Sequence, residues 1–238
     1  CVYRMSEAEV VKRLRGVLER IQIACQRRPL ELPKIQPRLV AVSKTKPKEL
    51  IIAAYEAGHR NFGENYVQEL VDKSHDSEIL ERCKDIKWHY IGHLQRNKVN
   101  KVVAVPGIFL VETVDSDKLA TTLDTAWAKQ VEHKGRLKVM LQVNTSAEEE
   151  KNGCPPESAV ELAKHIRERC NNLELVGLMT IGSLCLKKVR DSVCDALGLD
   201  CSALELSMGM SDDFEHAIEM GSTNVRVGSS IFGHRTKK

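Results

Sequence analysis

The chain has 238 residues, and its 36 Lys and Arg residues nearly balance 33 Asp and Glu residues, giving a net charge of +3. No long run carries one sign of charge, which argues against a nucleic-acid-binding surface or one for acidic lipids. No stretch is apolar over the length of a membrane span, and the first residues lack the apolar segment of a signal peptide, so we expect a soluble protein.

Eight cysteines are scattered along the chain without a Cys-x-x-Cys pair. A chain of this length does not need disulfides to hold its core, so we expect reduced thiols and a cytoplasmic location, with a mitochondrial pool left open. His89 and His93 have the four-residue spacing of metal ligands on a helix. Their neighbours are typical of a strand and its exit, and no third ligand is evident, so we expect no metal site.

The N-terminal region begins with residues 1–5, which we interpret as a tag or an upstream extension, and residues 6–238 are taken as one domain. From Ser6, an N-cap candidate with Glu9 three positions later, apolar residues recur at helical spacing to about Arg28. This pattern predicts a long amphipathic helix.

The rest of the chain alternates between strand-like runs and helix-like segments. The predicted strands are Leu39–Lys44, Asn61–Asn65, Trp88–Gly92, Ile108–Val114, Leu137–Asn144, Leu175–Gly182, Leu204–Gly209 and Asn224–Ser229. The predicted helices are 47–57, 66–82, 95–104, 116–133, 155–170, 185–197 and 212–219. Eight parallel strands with right-handed crossovers are the number that closes a barrel. We therefore predict an α/β fold, a single (β/α)8 TIM-like barrel, with an open doubly wound sheet as the alternative.

One helix is missing from this alternation. After the eighth strand only Ile231–Lys238 remains, which is too short and too polar to cover the closing seam of a barrel. The helix predicted from Ser6 to Arg28 has no strand before it, so we predict that it covers part of this face.

The stretch Leu39–Pro47 carries a candidate reactive lysine at the end of the first strand. Lys44 follows an apolar run rich in valine, and Pro47 then opens a helical pattern. A lysine at the mouth of a buried sheet is partly desolvated, which exposes a nucleophilic amine suited to a Schiff base with an aldehyde. The alternative is a basic turn with no role.

Two loops have the composition of a phosphate site. The seventh strand ends in Leu206–Ser211 and includes Ser207 and Gly209, and the eighth strand ends near Gly228 and Ser229. Small residues let the backbone approach phosphate oxygens closely, and hydroxyl groups add donors. Parallel barrels commonly hold phosphate in the loops after these two strands.

An aldehyde-reactive lysine beside a phosphate site indicates pyridoxal 5′-phosphate. Arg226 lies two residues before Gly228, so it points to the same side of the strand and reaches the pyridine nitrogen. The alternative for Arg226 is an ion pair with one of three acidic residues. These are Glu64, Glu205 and Glu219. An arginine keeps its proton and leaves the ring a poor electron sink, which discourages carbanion chemistry.

Six sequence blocks resemble the pyridoxal phosphate homeostasis protein family, the animal type in particular, over residues 10–233. They are LVAVSKTKP (39–47), FGENY (62–66), WHYIGHLQ (88–95), GLMTIG (177–182), LSMGMS (206–211) and GSTNVRVGS (221–229). The resemblance implies a single barrel of the alanine racemase N-terminal type that holds the cofactor as an aldimine. It also implies a role in buffering or delivering the cofactor without established catalysis.

The same resemblance assigns the site residue by residue. Lys44 matches the aldimine lysine, Arg226 matches the partner of the pyridine nitrogen, and Ser207, Gly228 and Ser229 match the phosphate contacts. Each of these roles can be tested by substituting the residue.

Three further residues are assigned to the cofactor site. Gly209 would let the backbone come close, while Asn65 and His89 match positions that line the cofactor ring. The alternative for His89 is a core histidine bonded to a neighbouring strand. The segment between Ser183 and Glu205 is shorter than in animal relatives, because either a rim loop is absent or residues are missing from the sequence.

Three functions are compatible with these features. The first is a monomeric carrier that binds pyridoxal phosphate, without catalysis, and contacts apoenzymes transiently. The second is a racemase-like enzyme, which would need a base opposite the lysine. The third is a phosphate-sensing or scaffold barrel in which Lys44 stays unmodified.

Overall fold

A computed structural model describes residues 5–32, 35–130, 135–146, 152–182 and 185–234. Eight parallel strands form a closed barrel in sequence order. The strands are β1 (Arg38–Val42), β2 (Asn61–Glu64), β3 (Lys87–Tyr90), β4 (Ile108–Val114), β5 (Leu137–Gln142), β6 (Leu173–Met179), β7 (Glu205–Ser207) and β8 (Asn224–Val227). β1 pairs with β8 from Arg38↔Asn224 to Ala41↔Val227, which closes the sheet. The barrel prediction is confirmed.

Ten α-helices are assigned within the described residues. They are α1 (Glu7–Gln26), α2 (Lys48–Glu56), α3 (Val67–Ser74), α4 (Ser77–Arg82), α5 (Val99–Val103), α6 (Asp117–Trp127), α7 (Ala159–Arg169), α8 (Leu186–Leu197), α9 (Phe214–Glu219) and α10 (Ser229–Phe232). None of them combines the length and the apolar character needed to cross a membrane.

The helix predicted over 66–82 is two helices in the structure, because Asp76 starts a new one. Its carboxylate accepts the backbone N–H groups of Glu78 at 3.0 Å and Ile79 at 3.4 Å, the pattern of an N-cap. The predicted helix 116–133 ends at Trp127, and residues 131–133 lie outside the described part of the chain.

The long first helix covers the closing seam of the barrel, as predicted. α1 packs against α2, α9 and α10. Its buried residues recur every three or four positions along one face. They are Val10, Leu14, Val17, Ile21 and Ala24. The short helix α10 was not predicted, because four residues give too little periodicity to read.

Several predicted strands run too far, and the first matters for the site. β1 ends at Val42, so Lys44 is a turn residue and not a strand residue. The Ser43 N–H still donates to Gly63 O at 3.0 Å, which continues the strand ladder for one residue. The chain then turns at Thr45, whose φ is 61°.

Two further parts of the sequence prediction lie outside the described residues. Residues 1–4 belong to the region interpreted as a tag or extension, and Ser183 and Leu184 belong to the short segment after β6. Both interpretations stay predictions.

Buried polar side chains and a small apolar cluster of Leu110, Met140 and Met179 occupy the barrel interior, while the main apolar core lies between the strands and the helices. Ser207 on β7 donates a hydrogen bond to Glu112 on β4 at 2.6 Å, although these strands are not neighbours. Both side chains must therefore point into the barrel. The preceding residues on the same strands, Val111 and Leu206, point the other way and belong to the main apolar core.

Candidate functional site

A pocket of about 380 Å³ opens at the carboxyl ends of the strands. The structure brings together five predicted site residues in its lining. They are Lys44, Asn65, Arg226, Gly228 and Ser229. The segments after β1, β2 and β8 supply four of them and β8 itself supplies Arg226, as expected for the functional face of a parallel barrel.

A larger groove of about 980 Å³ adjoins this pocket between the start of α1 and the segment after α10. Lys46, Gly233 and His234 line both spaces. Because Lys44 and Arg226 line the smaller pocket, we take that pocket as the candidate site.

Gly228 lies where the turns after β1 and β8 meet. A Cβ at this position would lie 3.3 Å from both Cβ and O of Val42, so a side chain would crowd the turn. The Gly228 N–H donates to Ser211 Oγ at 3.2 Å, which links the loops after β7 and β8. Sequence reasoning missed Ser211 as a site residue, although it closes the small-residue loop Leu206–Ser211.

Arg226 forms the floor of the pocket and is only 4% exposed. Its guanidinium donates to Ser207 Oγ at 2.6 Å and to Thr180 O at 2.7 Å. Burial lowers the pKa of Arg226, and the carboxylate of Glu112 opposes this shift.

The alternative ion pairs of Arg226 are not observed, because the three candidate acids have other partners. Glu64 bonds to Ser43 and Lys73. Glu205 pairs with Arg38, and Glu219 lies beside Arg27. The Arg226 side chain is therefore left facing the pocket and its own buried contacts.

Ser207, predicted as a phosphate contact, is not part of the pocket lining. The side chain is fully buried beneath Arg226, where it accepts from Arg226 and donates to Glu112. Gly209 is also outside the pocket lining. With a φ of 98° and a hypothetical Cβ only 2.5 Å from the Cβ of Ala217, it is needed for packing against α9.

His89 lies deeper in the barrel than predicted and also does not line the pocket. Its Nδ1 is 2.8 Å from Glu112 Oε1, and its Nε2 is 3.1 Å from Asn61 Oδ1. The structure thus places His89 as a core histidine bonded to the two neighbouring strands.

Glu112 is the central residue of this buried network, and sequence reasoning missed it. Burial by itself would raise the pKa of Glu112, but His89, Arg226 and Ser207 together lower it below the ordinary value. Its signal in the sequence is a lone carboxylate within the otherwise apolar run Ile108–Val114. It supplies negative charge beneath Arg226.

Asn65 presents an unsatisfied acceptor beside the pocket. Its Oδ1 is buried and has no hydrogen-bond partner among the described residues. Gly92 lets the neighbouring strand approach here, because a Cβ on Gly92 would lie 1.9 Å from Asn65 O. Buried acceptors without partners are rare, and one that lines a pocket indicates a missing ligand.

The two histidines with metal-like spacing do not meet. His89 is buried inside the barrel, whereas His93 is exposed and its Nδ1 lies 3.8 Å from Asp115 Oδ2. Within the described ranges, no group of three His, Cys, Asp or Glu side chains is arranged to hold a metal ion.

Comparisons with known proteins agree with this architecture. The family model of the alanine racemase N-terminal domain matches residues 30–236. The pyridoxal phosphate homeostasis protein of Homo sapiens is 53% identical, and the match covers 93% of this chain and 85% of that protein. PipY of Synechococcus elongatus, solved with PLP bound, is 32% identical with a TM-score of 0.70, covering 91% of this chain and 100% of PipY.

Alanine racemase from Corynebacterium glutamicum has a TM-score of 0.68 at 13% identity, over 98% of this chain and 63% of that chain. This similarity shows a shared fold. The family model and the human relative carry the assignment further, because both matches span most of the chain. The chain belongs to the alanine racemase N-terminal domain family and, within it, to the pyridoxal phosphate homeostasis proteins.

Proposed function

We propose that this protein binds pyridoxal 5′-phosphate through Lys44 and stores or delivers it without using it in catalysis. The observation that carries the proposal is one pocket lined by Lys44, by Arg226, and by the small-residue turn Gly228–Ser229. The names of its relatives and the PLP-bound structure of PipY support the same cofactor.

The residues present fit this cofactor. A volume of about 380 Å³ is within the usual size of small-molecule sites. The unsatisfied Oδ1 of Asn65 offers an acceptor to a ligand. Gly228 lines the pocket without a side chain, and a Cβ there would crowd Val42 at 3.3 Å.

Each part of the pocket has a distinct task in this proposal. Pyridoxal 5′-phosphate supplies an aldehyde that condenses with a primary amine and a ring whose nitrogen controls its electron-accepting power. Lys44, which lines the pocket, would supply the amine that holds the aldehyde end of the cofactor. Ser229 and the turn at Gly228 would hold the phosphate, and Ser211, which accepts from the Gly228 N–H, fixes the loop beside them.

Arg226 favours storage over catalysis. Its guanidinium is fixed by Ser207 and Thr180 and can only donate toward the ring nitrogen. A cation beside that nitrogen disfavours its protonated form, which makes the ring a weaker electron sink and discourages carbanion chemistry. The fold is nevertheless that of an enzyme family, so the absence of turnover needs its own test.

Borohydride reduction of the protein loaded with pyridoxal phosphate, followed by peptide mapping, tests the site. We expect the pyridoxyl group on Lys44, and we expect Lys44→Ala to lose the visible absorption band. Lys46→Ala is the matched control, because Lys46 lines the same pocket two positions away. A label on another lysine, or an intact band in Lys44→Ala, would contradict the proposed site.

Incubation of the loaded protein with alanine in deuterated water separates storage from catalysis. We expect exchange at Cα no faster than with free pyridoxal phosphate. Rapid exchange that is lost in Lys44→Ala would instead identify an enzyme.

A further inference from the structure

The turn that carries Lys44 is fixed from outside the barrel by the side chain of Lys73. Lys73 lies on α3, and its Nζ donates to Ser43 O at 2.9 Å. The same Nζ lies 2.8 Å from Glu64 Oε1 and 3.0 Å from Glu69 Oε2. Ser43 Oγ also donates to Glu64 Oε1 at 2.6 Å. The residue before Lys44 is therefore bound through both its backbone and its side chain.

The residue after Lys44 is held by the same group of charges. The Thr45 N–H donates to Glu69 Oε2 at 2.7 Å. Thr45 has a φ of 61° and is the one non-glycine residue with positive φ in the described part of the chain. A β-branched side chain strongly disfavours this left-handed conformation. Such strain persists only where surrounding contacts impose it, and it concentrates at functional sites.

Burying the charged side chains of Glu64 and Lys73 costs free energy. The side chain of Glu64 is fully buried and that of Lys73 is 12% exposed. Glu64 Oε2 has no hydrogen-bond partner among the described residues. Buried ion pairs add little stability compared with apolar packing, so stability alone gives no reason to bury this one. Its contacts converge on the two residues that flank Lys44.

We propose that Lys73, Glu64 and Glu69 are positioning residues that hold the Lys44 turn in its strained conformation, so that the amine faces the pocket opposite Arg226. This inference rests on the proposed function. The three residues do not line the pocket, and they act through Ser43 and Thr45. A relaxed turn would let Thr45 leave the left-handed region and would rotate Lys44 away from the cofactor.

Glu69 offers the cleanest test, because it is partly exposed and its loss should leave the fold intact. We expect Glu69→Ala to raise the dissociation constant for pyridoxal phosphate about tenfold, the effect of losing one hydrogen bond to a charged group. Glu69→Gln keeps an acceptor for Thr45 N–H and should retain most of the affinity. Gln68→Ala is the matched control, because Gln68 lies on the same helix and bonds to Asp72.

Thr45 provides a rescue experiment. Asparagine tolerates the left-handed conformation far better than threonine, so its turn needs less external support. We expect Thr45→Asn in the Glu69→Ala background to recover most of the lost affinity. A structural role for Glu69 elsewhere in the protein would not respond to a change at Thr45.

Amide hydrogen exchange in the cofactor-free protein tests the positioning independently of binding. We expect faster exchange at Thr45 in Glu69→Ala than in wild type or Gln68→Ala. If no variant binds pyridoxal phosphate but this difference is present, the proposed function fails while the positioning role stands. Unchanged exchange at Thr45, or equal affinity losses in Glu69→Ala and Gln68→Ala, would overturn the inference.

Discussion

The two sides of Arg226 differ in how their polar groups are satisfied. Below it, Glu112 is bonded to the fully buried Ser207 and His89 at 2.6–2.8 Å, and only Oδ1 of Asn224, which also donates to Glu112, is left without a partner in this network of described residues. Above it, Asn65 Oδ1 has no partner among the described residues. Polar groups that are hydrogen-bonded within the protein support the fold. Polar groups without a partner beside a pocket cost stability and can form a hydrogen bond with a ligand. The buried network should therefore control stability, and the pocket should control binding.

Substitution in the network should give the largest effect. Glu112→Gln removes the buried carboxylate that bonds directly to His89 and that offsets the charge of Arg226 through Ser207. Breaking a buried pair in this way costs about 3–5 kcal/mol, so we expect the free energy of unfolding to fall by this amount. Urea denaturation of the cofactor-free protein measures it, with the exposed Glu81→Gln as a control. Equal free energies of unfolding for Glu112→Gln and Glu81→Gln would contradict the claim that the buried network controls stability.

The pH dependence of the free energy of unfolding separates the contribution of Glu112 from that of His59, a second buried histidine. Burial lowers the pKa of His59 from 6.5 to about 4, so its stabilising effect is present above pH 6.5 and is lost as the pH falls toward 4. The expected loss is about 3 kcal/mol at most. Glu112 has a lowered pKa, so its contribution is lost only below the ordinary range of a glutamate.

Urea midpoints measured between pH 7 and pH 4 test this assignment. We expect His59→Gln, whose amide can still donate to Asn61 O, to flatten the profile above about pH 4.5. An unchanged profile in that variant would assign the acid loss to another group.

Substitution in the pocket should have the smallest effect on stability and an opposite sign. Asn65→Ala removes a buried unsatisfied acceptor, so we expect stability to stay the same or rise by up to about 1 kcal/mol. The dissociation constant for pyridoxal phosphate should rise about tenfold, as expected for one lost hydrogen bond. A loss of stability as large as that of Glu112→Gln would contradict the division between the two regions.

The strand count and barrel closure could be predicted from the sequence, because strand-like runs alternate regularly with helix-like segments. The residues at which the strands and helices end could not be predicted. Ser43 continues the ladder of β1 by one hydrogen bond, and only the conformation of Thr45 ends the extended run. The helix break at Asp76 was missed because apolar spacing continues across it.

The site could be predicted only where position at a strand end decides it. Lys44, Asn65 and Gly228 follow or end their strands and reach the pocket. Ser207 and His89 also lie near strand ends, but their side chains point into the barrel below Arg226. Alternation along a strand tells which face a residue occupies, whereas depth within a closed barrel depends on the stagger between strands.

The pairing of β1 with β8 has a consequence for the order of folding. Lys44 lies just after β1, and Gly228 lies just after β8, so the two halves of the pocket come from opposite ends of the sequence. Contacts between such distant segments form late, because a long loop must close before they stabilise anything. During synthesis, Lys44 emerges long before Gly228, and the pocket is completed only when the last strand docks.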